Sequence, residues 1–328
     1  MTARDRDRAE CCLRRSPGDA VNDRRTRTRD LLVSVVGGGD PDLLRNCLRS
    51  IPAACGDLSY DVTVVDNASL NATAQMVRDE FPQARLIINA RRLGFSANHN
   101  QVIRPLLRSS SHDFIGILND DTELDPEALL ILVRACRSKR MGVVGPGIRG
   151  TDGAAQPSQF AFPTLSGELD RVLLRRNRGA ESGGWLNGSC LVLSTERLRS
   201  VGPLDERFFL FFEDTDLCRR LSDLGLACGV VPEAGMLHHG HSTIATPRMG
   251  STMELQMLRS RYLYYDKHFG RGRAALAMVI VKSEFVLRAL RATVLGRLGR
   301  RTELHKRDLL LSLIRYNPKS PLAHEVEA

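Results

Sequence analysis

No pair of cysteines in this 328-residue chain has C-x-x-C spacing. The eight cysteines, at positions 11, 12, 47, 55, 136, 190, 218 and 228, lie mostly inside apolar runs. That pattern reads as reduced, buried thiols rather than a disulfide framework or a zinc site. The chain also lacks an apolar run long enough to span a bilayer: Ala274–Val281 is apolar all round, but Lys282 and Glu284 interrupt it. The N-terminus has no apolar segment of the signal-peptide kind, so a cytoplasmic protein is expected. Aromatics are few, at 5%, with one tryptophan, Trp185. The basic stretch near the C-terminus has no interleaved aromatics past Phe285 and no nucleic-acid-binding motif, which argues against a nucleic-acid partner.

What the chain does have is an apolar fraction of 42%, enough for a real core, and a net charge of +9 that is unevenly spread. Between Arg259 and Arg307, 13 Lys and Arg stand against three acids, while the middle of the chain is slightly acidic. Basicity therefore belongs to the tail. Residues 1–30, crowded with Arg and Asp and poor in apolar side chains, read as a disordered charged arm. From Leu31 strand-like and helix-like runs alternate: 31–36, 60–69, 84–90, 114–121 and 141–148 as strands, with helical spacing at 41–51, 71–81, 94–107 and 125–136. Pro126 is expected in the first turn of the last helix. Such alternation predicts an α/β fold with a parallel sheet covered on both faces. Further on, 190–194 and 227–232 read as strands, 195–202 and 213–225 as helices, and 253–301 as two helices broken at Gly270–Gly272. The expected organisation is an arm over 1–30, a catalytic domain over 31–258 and a basic amphipathic helical tail over 259–328.

In sheets of this kind ligands bind beyond the carboxyl ends of the strands. Two strands end there in acids: Asp66 after "VTVV", and Asp120 and Asp121 after "IGIL", with Asn119 before them. A single acid at such a place can cap the next helix or make an Asx-turn. Capping accounts for only one member of an adjacent pair, and neighbouring carboxylates repel unless a cation neutralises them. Hard divalent cations take oxygen ligands, and Mg²⁺ commonly uses one or two carboxylates together with substrate phosphates. The pair therefore points to a metal–phosphate site. Glu213 and Asp214 open a helix, where the dipole favours negative charge. His238, His239 and His241 fall within four residues of a chain that has eight histidines.

The stretches "VVDNAS", "GFSANHN", "ILNDDTELDP", "WLNGSCLVL", "DERFFLFFEDTDLCRRL" and "VPEAGMLHHGHS" occur in the order seen in family 2 glycosyltransferases. Over residues 31–270 the chain resembles their rhamnosyltransferase-like and galactofuranosyltransferase-like members. The resemblance implies a GT-A fold, in which a Rossmann-like nucleotide half and an acceptor half share one mixed, mainly parallel sheet. It also implies a nucleoside-diphosphate-sugar donor, Mg²⁺ or Mn²⁺, a glycan or lipid-linked acceptor, and inversion at the anomeric carbon. By that resemblance Asp66, Asn67, Arg92, Asn100, Asn119 and Asp120 would contact the nucleotide sugar. Asp121 and His238 would hold the metal, with His239 the alternative if the register slips by one. Asp214 would be the catalytic base, with Glu213 beside it, and Trp185, Asn187 and Gly188 would line the sugar and acceptor pocket.

Two places depart from the family pattern. Where its first strand usually ends in Thr-Tyr-Asn, this chain has Gly37-Gly38-Gly39-Asp40, and Arg92 replaces an Asn before the "GF" motif. Glycines let backbone approach a nucleotide closely, and an arginine there can meet a phosphate. The first departure keeps open the alternative of a catalytically silent sugar-nucleotide-binding or scaffold protein. A nucleotidyltransferase is disfavoured because the glycine loop lacks a cation. The basic tail suits the anionic inner face of the plasma membrane, or a helix packed on the catalytic domain with its arginines in water.

Overall fold

A computed structural model describes residues 29–69, 72–174, 183–240, 247–297 and 302–326. The expected arm thus lies outside the described residues apart from its last two positions, which already belong to the first strand. In chain order the elements are β1 (Arg29–Gly37), α1 (Pro41–Cys55), β2 (Tyr60–Asp66), α2 (Thr73–Glu80), β3 (Arg85–Ile88), α3 (Phe95–Ser109), β4 (His112–Asn119), β5 (Thr122–Leu124), α4 (Ala128–Cys136), β6 (Met141–Arg149) and β7 (Ala155–Gln156). Then follow β8 (Gln159–Phe160), α5 (Leu165–Leu174), β9 (Trp185–Leu186), β10 (Cys190–Ser194), α6 (Thr195–Val201), α7 (Glu213–Asp223), β11 (Ala227–His238), α8 (Pro247–Phe269), α9 (Arg271–Arg297), α10 (Thr302–Arg315) and α11 (Ala323–Val326).

The main sheet has the order β3-β2-β1-β4-β10-β6-β11-β5, with β7 paired to β6. Its nucleotide-half strands β3, β2, β1 and β4 are parallel. The strand–helix alternation argues for a parallel sheet and the resemblance for a mixed, mainly parallel one; the structure has the mixed sheet. Strand β10 inserts antiparallel between β4 and β6, and β5 is antiparallel to β11. Local alternation does not reveal this, because the long connection from β6 to β10 can return the chain in either direction. The β4–β10 register sets Cys190 opposite Leu118, placing the loop before β10 beside the acidic end of β4.

Two apolar layers cover the sheet. On one face α1, α2 and α4 bury Leu44, Ile51, Val77, Leu129 and Val133 against Val33, Val35 and Val144. On the other α3, α6 and α7 bury Ile103, Leu198, Leu217 and Leu221 against Ile115, Ile117 and Leu193. Pro126 stands before α4, not within its first turn; Glu127 precedes the helix in a left-handed conformation at φ 60°. Asp125 accounts for the offset, since its N–H donates to Gly235 O and its carboxylate takes both guanidinium nitrogens of Arg149. The six described cysteines are buried and free.

The tail is not separate from this body. The boundary expected at 258/259 falls inside α8, which continues to Phe269, and the expected break comes at Gly270, with φ 83°. Tyr262, Tyr264, Tyr265, Ala277 and Val281 form a core of their own with Phe208 and Phe212. The tail is also tied to α7 through Asp216, which is fully buried. Its carboxylate accepts from Arg220 Nε at 2.9 Å, meets Lys267 Nζ at 2.6 Å and pairs with His268 Nε2 at 2.9 Å. Among the described residues no helix is long and apolar enough to cross a membrane.

Gly94 marks the tightest approach between the nucleotide half and the loop before α7. A Cβ there would sit 2.6 Å from Phe209 O and 2.8 Å from Phe209 Cα, both backbone atoms that cannot swing aside. Overpacking of this sort costs about 1–3 kcal/mol. Gly94→Ala is therefore expected to lower the unfolding free energy by that amount, seen as a lower urea midpoint with an unchanged slope; a midpoint equal to that of the unmodified chain would refute the account.

Candidate active site

The acidic end of β4 is organised from three sides. Asp120 receives the backbone N–H groups of Gly38 and Gly39. Burial and the adjacent Asp121 nevertheless raise its carboxyl to about 6. The three-glycine departure thus has a local role: it brings two donors to a carboxylate that would otherwise face only a like charge. Burial pushes Asp121 up too, but His238, with Nε2 3.5 Å from Asp121 Oδ1, and His239 beyond it outweigh that and hold the carboxyl below the usual range.

Asp121 Oδ1 is buried with no hydrogen-bond partner, a costly state for an ionised oxygen. It faces the imidazole nitrogen of His238 at a separation that two ligands of one cation can adopt. No cluster of three or more His, Cys, Asp or Glu side chains suited to a metal occurs among the described residues. A divalent cation held by this pair would therefore need further oxygen ligands from a substrate, as Mg²⁺ sites commonly do. The donor chemistry fits. His239 is engaged elsewhere, with Nε2 2.8 Å from Glu123 Oε1, while its N–H donates to Asp121 O. His241 lies outside the described residues.

Asp214 approaches from the other side. Phe211 and Phe212 both have φ 68°, left-handed values that bulky residues rarely adopt. Two such residues in succession turn the chain sharply into α7 and deliver Glu213 and Asp214 to the sheet edge. Asp214 Oδ2 accepts from Gly188 N–H at 3.0 Å, and its Oδ1 accepts from Thr215 N–H at 2.6 Å. Gly188 has to be bare here, as an added Cβ would lie 3.2 Å from Asp214 Oδ2. Burial raises Asp214 to about 6 despite those donors. Burial and the neighbouring Asp214 raise Glu213 well above the carboxylate range, and its Oε2 has no partner. Next to Gly188, Ser189 O accepts from Asn119 N–H at 3.0 Å. A short hydrogen-bonded path thus runs from Asp214 through Gly188-Ser189 to Asn119 and the Asp120-Asp121 pair.

A cleft of about 640 Å³ opens beside this edge, lined on one wall by Gly37, Gly38, Gly39, Asn67, Arg92 and Leu93, with Asn119 and Asp120 at its floor. Arg92 Nη2 reaches Gly38 O at 3.4 Å. The Asn67 amide is spent on the backbone of Leu93, so it shapes the wall rather than offering a free side chain. Two expected contacts lie elsewhere. Asn100 is buried and clamps Leu204, donating to its O at 2.8 Å and accepting from its N–H at 3.1 Å. Asp66 is buried outside the lining, and its Oδ1 accepts from Ser69 N–H, the Asx-turn that its position also allowed. Trp185 stacks on Phe160 at 4.6 Å and donates to Ala161 O, while Asn187 Oδ1 accepts from Ser189 N–H. The opposite wall, from Phe209, Leu210, Thr252, Met253, Gln256 and His324, was not foreseen. Its three segments are far apart in sequence, 42 residues from Leu210 to Thr252 and 68 from Gln256 to His324, and carry no shared motif.

A mixed α/β sheet with acids at its carboxyl edge, a histidine facing them and a further carboxylate hydrogen-bonded to the same edge fits the GT-A architecture. The description "Glycosyltransferase like family 2" matches residues 29–261, and the chain belongs to that family: it is a glycosyltransferase. An N-acetylglucosaminyl-diphospho-decaprenol L-rhamnosyltransferase of Mycobacterium tuberculosis is 32% identical over 241 residues, covering 66% of this chain and 78% of the relative. Rhamnosyltransferase WbbL of Escherichia coli is 25% identical, covering 64% and 83%. In fold, the chain is similar to a mannosyltransferase from Pyrobaculum calidifontis solved with GDP-Man and Mn²⁺, with a TM-score of 0.52, 15% identity and coverage of 88% and 86%.

The raised Asp214 carboxyl has a signed consequence for stability. The folded state holds a proton that the unfolded chain has released between about pH 4 and pH 6. This contribution to stability is therefore fully present below the ordinary carboxylate pKa and is lost as pH rises through about 6. Urea unfolding of Asp214→Asn across pH 4–7 is expected to lose that part of the decline. An identical pH slope in both proteins would contradict it.

Proposed function

We propose that this glycosyltransferase moves a sugar from a nucleoside-diphosphate sugar to a glycan or lipid-linked acceptor, with inversion and with Mg²⁺ or Mn²⁺ bound between Asp121 and His238. The observation that carries the reading is the hydrogen-bonded path joining Asp214 to the Asp120-Asp121 pair through Gly188-Ser189 and Asn119. It ties a carboxylate and a cation-suited pair to the same edge of the sheet, which supports a base and a metal serving one reaction. The relatives' names support a lipid-linked acceptor, and the mannosyltransferase complex supports a nucleotide sugar with Mn²⁺.

Asp214 takes the proton from the acceptor hydroxyl as it attacks. A carboxyl at about 6 is mostly ionised at pH 7 yet more basic than an ordinary aspartate, which suits a general base. The Gly188 and Thr215 N–H groups orient it. Burial, with Asp214 beside it, raises the Glu213 carboxyl well above the ordinary range and so disfavours a second charge next to the base. The glycine loop and Arg92 sit where the diphosphate would lie along the cleft. When bound, the cation supplies Lewis-acid neutralisation of charge on the departing diphosphate. One displacement with one base gives inversion and needs no second catalytic carboxylate.

The tail supports a membrane-surface location. Leu276, Val279, Val286, Leu287, Leu290 and Val294 of α9 are 41–65% exposed, and Leu169, Leu173 and Leu174 of the adjoining α5 are exposed as well. Apolar residues recurring at helical spacing among arginines suit the surface of an anionic bilayer at the cytoplasmic face.

Two outcomes are expected. With purified protein, Mn²⁺ and a panel of nucleotide sugars, Asp214→Asn lowers kcat by about 10²–10⁴-fold, and Asp121→Ala lowers activity at every Mn²⁺ concentration and raises the concentration needed; full activity in either variant would end the assignment. Nucleotide binding without turnover on any acceptor would favour a silent binding protein instead. In vesicle co-sedimentation, the double change Leu287→Glu and Leu290→Glu releases the protein from phosphatidylglycerol vesicles, and equal binding by the variant would rule out this face.

A further inference from the structure

The second wall of the cleft joins the start of the "DERFFLFFEDTDLCRRL" stretch to two segments outside the quoted motifs. Phe209 and Leu210 lie in the loop before α7, Thr252, Met253 and Gln256 on α8, and His324 on α11. Chain ends ordinarily fray unless something ties them down, and this one is tied. Arg259 pairs with Glu325 at 2.5 Å and donates from Nη1 to Pro318 O at 3.0 Å. Lys282 Nζ donates to Ile314 O at 2.9 Å and to Tyr316 O at 2.7 Å. His324 Nε2 lies 2.9 Å from Gln256 Oε1, and its ring meets Phe209 edge-on at 4.9 Å. Gln256 is 1% exposed and is fixed in turn by Ser260, whose hydroxyl donates to Leu210 O. Side chains and backbone from three separate segments are thus locked around one imidazole that faces the cleft.

The chemistry along the cleft is graded. One end has Asp120, next to the Asp121–His238 pair, where a diphosphate belongs on the reading above. The wall formed by Phe209, Leu210 and Met253 is apolar, and the His324 imidazole stands beside it, held by the buried Gln256 through Nε2. A flat apolar face edged by donors and acceptors is what a nucleoside presents and what it requires. We propose that His324, positioned by Gln256 and Phe209, is a nucleoside-binding residue of the donor site, so that the C-terminal segment completes the nucleotide cleft. This rests on the reading of the cleft as the nucleotide-sugar site, and it makes the last helix a part of the donor pocket.

The test uses the full chain and calorimetry with Mg²⁺ and UDP, GDP or dTDP, taking whichever binds tightest, and inorganic pyrophosphate with Mg²⁺ alongside. His324→Ala is expected to weaken the nucleoside diphosphate about tenfold, the scale of one good hydrogen bond with its ring contact, and to leave pyrophosphate within about twofold. His324→Phe keeps the ring against Phe209 and guards against a folding defect; it should also weaken the nucleoside diphosphate selectively. An unchanged nucleoside-diphosphate Kd in His324→Ala overturns the proposal, as does an equal loss for pyrophosphate. In the unmodified protein, amide exchange over 318–326 should slow when the nucleoside diphosphate is added, and no slowing would also overturn it. If no nucleoside diphosphate binds the unmodified chain at all, the reading of the cleft fails and takes this proposal with it; loss confined to the variants' controls leaves the cleft reading standing.

Discussion

The arrangement depends on the antiparallel insertion of β10 beside β4. Strand β4 carries Asn119 to the carboxyl edge of the sheet, and the turn before β10 carries Gly188 and Ser189 to the same point. Ser189 O closes on Asn119 N–H, and Gly188 N–H closes on Asp214. Were β10 parallel, its opposite end would lie at that edge, and neither bond could form. The strand's direction, which the local side-chain pattern does not set, therefore brings the carboxylate of α7 to the edge that carries the acids of β4. The left-handed backbone at Phe211 and Phe212 complements this, since only a sharp entry lets α7 begin at the edge it serves. Strain of order 1–3 kcal/mol at such residues persists because Phe212 is buried against Tyr264 and beneath Arg261.

Five acids meet within this region, and each is stabilised in a different way. Asp216 is surrounded by Arg220, Lys267 and His268 and is held below the carboxylate range although it is fully buried. Asp121 relies on His238. Asp120 has only backbone N–H groups from the glycine loop, and its carboxyl stays high. Asp214 likewise has N–H and hydroxyl donors but no cation, and it too stays high. Glu213 has only its own backbone N–H, and burial and Asp214 raise its carboxyl well above the ordinary range. The division follows from Coulomb's law in a poorly solvated place: a fixed cation holds the charge on, whereas dipoles only limit the cost of burial. The three acids without a cationic partner are the ones whose ionisation remains open to a ligand or a proton.

Much of the nucleotide half was legible from the chain. Strands over 31–36, 60–66 and 114–119 follow from short apolar runs ending in polar turns, and α7 from Leu217 and Leu221 sharing a face with Gly225 beyond them. The acids at 120–121 and the histidine at 238 are visible as adjacent like charges and as a cluster of a scarce residue. What stayed hidden has a common cause: it depends on partners far away in sequence. Asn100 looks like any polar residue on a motif helix, and its commitment to Leu204 is a tertiary fact. Asp66 could equally cap a turn or meet a ligand, and local backbone geometry decides for the turn. His324 sits beyond Pro318 and Pro321 in a polar stretch without periodicity, so no local rule brings it to a cleft whose other wall is residue 37.

The tail's position has a mechanical consequence. Helix α8 is gripped at its end by Asp216 of α7, two residues after Asp214, and along its middle by Leu210 through Ser260. Helix α9 packs on α8 and presents the exposed leucines and valines. A surface that engages α9 is thus connected to the base by two consecutive packed contacts, without a flexible linker. Buried charge networks resist small displacements, because separating Asp216 from Lys267 and His268 leaves uncompensated charge out of water. The distance between whatever surface α9 meets and the carboxylate of Asp214 is therefore fixed by the fold.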